Sequence, residues 1–440
     1  MPARPPSRAG CTEMGGANTT RLESKILRVE QFRDPALPEE RRRELESVDA
    51  EPIDMSVQGV LAEARARTGL DNFGSMDFVE RLEVMLDEVA PDPNLWRFAK
   101  ARFRAGCVKA AANRLMNEDY LRRHPEIDDI VIDRPIIIVG LPRSGTTHLE
   151  NLIAADRRLR HLPVYLGAQA VPDPGEEPRP GNLDPRWQRA DEIWRQMATN
   201  PIVAAMHEHS PGHACGENEL QMPNFATYQW EWMAQIPGWR DYQLSHDQTA
   251  SFAYGKRILK AIAFQYPSPR RWILKGNQHS EQLPALMANY PDARFVQILR
   301  DPLAILQSVL TLRGLSVLQD QKHPDIAGHV AYWVDRIERM LRSYMRDREA
   351  VPPGQLFELA FADIIADDVG SAQRVLEVAG FESTPDSVAD MRDYMASHPR
   401  GRDGRVAYDL AGDFNLDVAA LRERFRFYTD RFSVPVEVRT

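Results

Sequence analysis

The run Pro135-Ile136-Ile137-Ile138-Val139, followed by Gly140-Leu141-Pro142-Arg143-Ser144-Gly145-Thr146-Thr147, constrains this chain more than any other stretch. A short run of β-branched residues bounded by Gly140 and Pro142 predicts a strand buried on both faces of a parallel sheet. The glycine-punctuated turn then opens a helix at Thr146-Thr147. In that helix Leu149, Leu152 and Ile153 fall at i, i+3 and i+4, giving one apolar stripe to lie on the sheet. Strand, turn and helix together make an anion cradle. The glycines let backbone N–H groups converge, and the helix start adds unpaired donors and the positive end of its dipole.

Later segments continue the pattern. Residues 271–275, 294–299 and 355–361 read as strands. A helix is expected around 283–288. Another starts at Asp301 as N-cap and Pro302 in the first turn, with Leu303, Leu306 and Leu310 at helical spacing. A long helix is expected over roughly 329–348, and Asp363 is placed to cap the one after the last strand. Strands alternating with helices predict a three-layer α/β fold with a mainly parallel sheet. Upstream, residues 25–128 read as a helical N-terminal region, with Val60, Leu61 and Ala64 on one amphipathic segment and Phe78, Leu82, Met85 and Leu86 on another. One or two further helices are expected over 95–121. Residues 1–24, rich in Pro, Gly, Arg, Ser and Thr, read as a disordered tail. The α/β domain then covers 129–440 and carries a helical, aromatic-rich insertion over about 170–266, entered through the Pro/Gly loop 172–185. Five of the eight tryptophans lie there: Trp187, Trp194, Trp230, Trp232 and Trp239. They serve as core packing or as the wall of a pocket for an organic ligand.

With 43% hydrophobic and 27% charged residues, a chain of 440 can bury a sizeable core. The net charge of −9 argues against nucleic acid and against electrostatic membrane docking, so an anionic ligand must be held by local basic groups. Three scattered cysteines, Cys11, Cys107 and Cys215, imply no disulfide framework and fit a reducing cytoplasm. No signal peptide or membrane span is expected. An assembly of identical chains is left open.

The loop has the spacing of a P-loop, G-x-x-x-x-G-K-[ST], but Thr146 stands where that motif carries Lys, and the positive charge sits inside the loop as Arg143. PRSGTT, Pro142 to Thr147, resembles the signature of the sulfotransferase superfamily. That resemblance implies that Arg143, Ser144, Gly145, Thr146 and Thr147 hold the 5′-phosphosulfate of 3′-phosphoadenosine 5′-phosphosulfate (PAPS), with no metal. A second motif, strand 294–299 followed by Arg300-Asp301-Pro302 and then Ser308, resembles the family's 3′-phosphate site. Arg suits that phosphate through charge-assisted, bidentate hydrogen bonds. Alone it reads better as an Arg–Asp pair at a helix start, and it is the order along the chain after PRSGTT that favours the phosphate site.

Lys275 ends a strand, with His279 four residues on. By resemblance His279 is the candidate general base and Lys275 the catalytic cation, because transfer to a hydroxyl needs its proton removed and developing charge stabilised. The stretch His207-Glu208-His209-Ser210-Pro211-Gly212-His213-Ala214-Cys215 matches no zinc spacing. It reads as a polar loop facing the acceptor, with Glu219 or Glu217 beyond it as alternative bases. Arg400-Gly401-Arg402 reads either as a basic segment closing over the nucleotide or as a solvated loop. The resemblance therefore implies an enzyme that sulfates a hydroxyl of a small or lipid-like acceptor. A P-loop kinase or NTPase, or a non-catalytic nucleotide-binding protein, are the alternatives.

Overall fold

The computed structural model describes residues 25–439 apart from 36, 38 and 48–51, so the expected tail 1–24 lies outside the described residues. Seven strands occur among these: β1 (Ile26–Leu27), β2 (Ile136–Val139), β3 (Leu159–Arg160), β4 (Arg271–Gly276), β5 (Arg294–Leu299), β6 (Leu356–Ala360) and β7 (Arg405–Val406). Five form one sheet in the order β3-β4-β2-β5-β6, every pair parallel. β1 pairs in parallel with β7 in a separate two-stranded sheet, tying the N-terminal region to the C-terminal one.

β2 is central, and the chain departs from it to opposite sides: β4 on one flank, β5 on the other. A crevice opens at the carboxyl ends of strands at such a switch point, so the turn after β2 lies where an α/β sheet binds its ligand. All four β2 side chains are buried. Ile136 and Ile138 join Leu149, Leu152 and Ile153 of the helix Thr146–Ala154 in one core, while Ile137 and Val139 join a larger core on the other face. The expected stripe is therefore the one that packs, and the three layers are helix, sheet, helix.

Asp301 caps the helix Pro302–Asp320, its side chain accepting from the Leu303 amide. No membrane span is expected from the sequence, yet by length and composition this helix is apolar enough to cross a membrane; most of its residues are buried within the fold. Asp363 does not cap the following helix. That helix starts at Phe361 with Ala360 at its N-cap, because β6 runs straight into it, and Asp363 lies in the first turn. In place of the one or two helices expected over 95–121 there is a single 27-residue helix, Arg97–Arg123, with Trp96 as its N-cap.

The aromatic-rich stretch has a definite packing role. Phe225, Trp230, Ile236 and Trp239 share a core with Phe78, Leu82, Met85 and Phe103 of the N-terminal helices. Phe225, Trp230 and Trp239 are the aromatics of the stretch buried there, and Trp232 and Tyr228 border a cavity.

Candidate active site

The loop between β2 and its helix is held in shape by its own contacts. Ser144 Oγ donates to the Leu141 carbonyl at 2.7 Å, and the Ser144 amide donates to the same oxygen at 3.2 Å. Gly145 has φ +94°, and a Cβ there would stand 2.8 Å from the Phe361 ring, so the turn needs glycine at that point. Arg143 adopts φ +66° without being glycine. Such a conformation costs roughly 1–3 kcal/mol. Burial of the β2 side chains, at roughly 1.5–3 kcal/mol each, more than offsets it. The strain directs the Arg143 side chain across the crevice, where Nε donates to Ser308 Oγ at 3.0 Å.

Arg300, at the carboxyl end of β5, donates from Nη1 to the Arg143 carbonyl at 2.7 Å and stacks on Phe361 at 3.8 Å. The structure thus brings Arg143, Arg300 and Ser308 together around one loop. It also adds two partners that the sequence did not announce. Tyr408 lies 3.3 Å from Ser308 Oγ, and the Glu437 carboxylate pairs with Arg300 at 2.8 Å.

Two cavities open on this loop. The first, about 430 Å³, is lined by Arg143, Gly145, Thr146, Thr147, Arg300 and the 400–404 segment. Arg400 and Arg402 both border it, but each is tied to a carboxylate of the chain, Arg400 to Asp368 at 2.5 Å and Arg402 to Glu208 at 3.0 Å. The second, about 410 Å³, is bounded by Lys275, Asn277, Glu219, His209, Tyr228 and Trp232. Arg143, Thr146, Thr147 and His207 belong to both.

Lys275 reaches the second cavity from the carboxyl end of β4, in register with Ile138 of β2. Asn277, two residues on, links the strand ends: Nδ2 donates to the Gly140 carbonyl at 2.9 Å, and Oδ1 accepts from Tyr228 at 2.8 Å.

His279 is not brought to either cavity. A 3₁₀ turn, Gln278–Glu281, folds it back beneath β4, fully enclosed, with Nε2 3.1 Å from Glu217 and its ring against Phe252. The expectation that His279 faces the acceptor is corrected accordingly, and Glu217 is enclosed with it, hydrogen-bonded by Tyr290. Glu219 does line the cavity and accepts from Gln229 Nε2. Burial raises its carboxyl above the usual range, against the pull of the Gln229 bond and of Lys275 and Lys109. The same burial lowers His209 to about 4 and His207 well below its ordinary value, nearby positive groups adding to the effect. Both imidazoles are neutral at physiological pH. Among the described residues no group of three or more His, Cys, Asp or Glu side chains converges to hold a metal ion.

Compared with known proteins, residues 135–386 match the model of the Sulfotransferase family, more than half of the chain. The chain belongs to the sulfotransferase family. Among solved structures, the crystal structure of the sulfotransferase STF9 from Mycobacterium avium is 25% identical and superposes with a TM-score of 0.79, covering 88% of this chain and 100% of that one. The sulfotransferase STF1 from Mycobacterium tuberculosis is 27% identical with a TM-score of 0.71, covering 84% and 98%. Both share the α/β fold of this sulfotransferase-family chain. A curated relative, the omega-hydroxy-beta-dihydromenaquinone-9 sulfotransferase Stf3 of Mycobacterium bovis, is 28% identical over 127 residues. That match takes in 29% of this chain and 33% of the relative's length.

Proposed function

We propose that the chain transfers a sulfuryl group from PAPS to a hydroxyl of a small or lipid-like acceptor. The observation that carries this reading is the meeting of two cavities at one loop, with Arg143, Thr146, Thr147 and His207 common to both. The nucleotide would occupy the first cavity, its phosphosulfate against Arg143, Gly145, Thr146 and Thr147, while Ser144, enclosed and bonded to Leu141, holds the loop in shape. Its 3′-phosphate would lie toward Arg300 and Ser308, with Arg400-Gly401-Arg402 at the rim. The acceptor would enter the second cavity, whose wall of Trp232, Met233 and Leu312 suits an apolar body. The name of the curated relative, which specifies an omega-hydroxy menaquinone derivative, supports that acceptor class.

In the reaction the acceptor oxygen bonds to sulfur as the bond from sulfur to the 5′-phosphate oxygen breaks, releasing adenosine 3′,5′-bisphosphate. The hydroxyl proton passes to a base in the second cavity. Glu219 is the base we assign, because it faces that cavity with a carboxyl whose proton affinity is raised toward the working pH. Lys275 and Arg143 would stabilise charge developing on the sulfuryl and bridging oxygens.

Calorimetric titration of the nucleotide tests the assignment of the first cavity. Arg300→Ala should weaken adenosine 3′,5′-bisphosphate by about 1.5–3 kcal/mol, and Ser308→Ala by less, with 5′-AMP little affected. Equal losses for both nucleotides would mean that these residues do not read the 3′-phosphate. Glu437→Gln should act in the opposite direction. The Glu437 carboxylate takes the Arg300 Nε and Nη2 edge that a phosphate would use. A partly exposed pair of this kind contributes roughly 0.2–1 kcal/mol, so its removal should tighten the bisphosphate by about 1.5- to 5-fold. Unchanged affinity would show that this contact does not compete with the nucleotide.

A further inference from the structure

The helix Pro302–Asp320 carries Ser308 beside the loop and then forms one side of the second cavity. Leu312, Leu315, Ser316 and Gln319 fall at i, i+3, i+4 and i+7, and all four line it. Leu312 and Leu315 give this face an apolar part and Ser316 and Gln319 a polar one. Arg313, next to Leu312, reaches both the same cavity and a small adjoining recess of about 40 Å³ that Glu231 and Asp320 also line. Arg313 is partly buried. Its Nη1 donates to Ser316 Oγ at 3.1 Å, and its guanidinium lies 5.6 Å from the ring of Trp232. Among the described residues no carboxylate pairs with it at salt-bridge distance. Asp320, the nearest acid on its own helix, is engaged by Arg102 at 2.5 Å. Burial lowers Arg313 only to about 10, the Asp320 charge opposing the shift, so the guanidinium is charged at neutral pH.

Arg313 thus has a charged neighbour in Asp320, which Arg102 shares, but no bonded carboxylate of its own, and its remaining donor edge is open to an anion that a ligand brings. At 1.5 Å of rise per residue, Arg313 stands about 7–8 Å beyond Ser308 along the helix axis. Ser308 in turn touches Arg143 of the loop. We propose that Arg313 is a specificity-determining residue that binds a carboxylate on the acceptor, roughly 8–12 Å from the hydroxyl that is sulfated. The acceptor is thus a hydroxy acid with an apolar spacer, and this rests on the transferase reading above. A carboxylate fits better than a phosphate. Nη1 is already taken by Ser316, which leaves one edge of the fork, and the nearby Asp320 charge disfavours a dianion.

The test is steady-state transfer from labelled PAPS to 10-hydroxydecanoate and to its methyl ester, with the full chain and with Arg313→Gln and Arg313→Lys. Binding of adenosine 3′,5′-bisphosphate is measured on each protein in parallel. The acid should be preferred over the ester by about 10- to 100-fold in kcat/KM, mostly through KM. Arg313→Gln should abolish that preference, the loss falling on the acid's KM, and Arg313→Lys should restore part of it. Equal use of acid and ester by the unaltered chain would overturn the proposal. So would an undiminished preference in Arg313→Gln, or use of neither compound while the bisphosphate still binds. Failure of the unaltered chain to bind the bisphosphate would instead remove the transferase reading, and the proposal with it.

Discussion

Glu219→Gln lowers kcat by about 10²–10⁴-fold and leaves the affinity for adenosine 3′,5′-bisphosphate nearly unchanged; this is the expected result if Glu219 takes the acceptor proton. The amide keeps the size and the Gln229 neighbour of the carboxylate but cannot accept a proton. The pH profile separates this from a structural defect. A base must be deprotonated to act, so the rate falls as pH drops through the Glu219 pKa, which burial places above the ordinary carboxylate value. Glu219→Gln should erase that acidic limb. Burial shifts both neighbouring imidazoles the other way, His209 down to about 4 and His207 well below its ordinary value, so neither moves that limb upward. Lys275→Ala should also lower kcat, by removing a cation from the transition state, while the acidic limb survives. Near-normal turnover in Glu219→Gln beside a dead His207→Gln enzyme would transfer the role to the histidine.

Arg336→Met should be among the most destabilising single changes in the fold, at about 3–5 kcal/mol. Arg336 is buried with two carboxylates: Glu231 at 2.8 Å and Glu281 at 2.5 Å, with Tyr332 donating to Glu231 at 2.6 Å. Burial raises the Glu231 carboxyl, and Arg336 is the largest influence holding it down. Methionine would leave two buried acids facing each other without a cation. Glu231 lies in the turn that presents Trp232 to the second cavity, and Glu281 ends the turn that follows Lys275. The network therefore fixes the acceptor wall to the strand end that carries Lys275. Denaturant melting should record the loss as a lower midpoint. A change under about 1 kcal/mol would mean that the pocket wall does not depend on this ion cluster.

The parts of the site legible in the sequence were those written in short-range pattern. β2, β4 and β5 announced themselves as apolar runs, and Asp301-Pro302 marked its helix start through capping chemistry. PRSGTT and the Arg300–Ser308 pair are local enough to be read as motifs, and the fold brings them to one crevice. His279 failed for a physical reason. Three residues past the end of β4, spacing does not say which way a side chain turns, and the 3₁₀ turn folds its ring under Gly276. β1, β3 and β7 are two residues long each and carry no periodicity to detect. Tyr408 and Glu437 lie 100 and 137 residues from their partners Ser308 and Arg300, and no local signal connects them. Arg313 sat in plain view, but an arginine in a helix ordinarily reads as solvated surface until the cavity beside it is seen.

The most direct measurement of the central claim is a calorimetric titration of adenosine 3′,5′-bisphosphate in EDTA, set against ATP with Mg²⁺. Thr146 occupies the position of the P-loop Lys, and the cation is moved to Arg143, so the cradle should favour a phosphosulfate donor held without a metal. The account predicts binding of the bisphosphate that is unaffected by EDTA and much tighter than that of ATP with Mg²⁺. Preferential binding of ATP with Mg²⁺, or bisphosphate binding that disappears in EDTA, would contradict it.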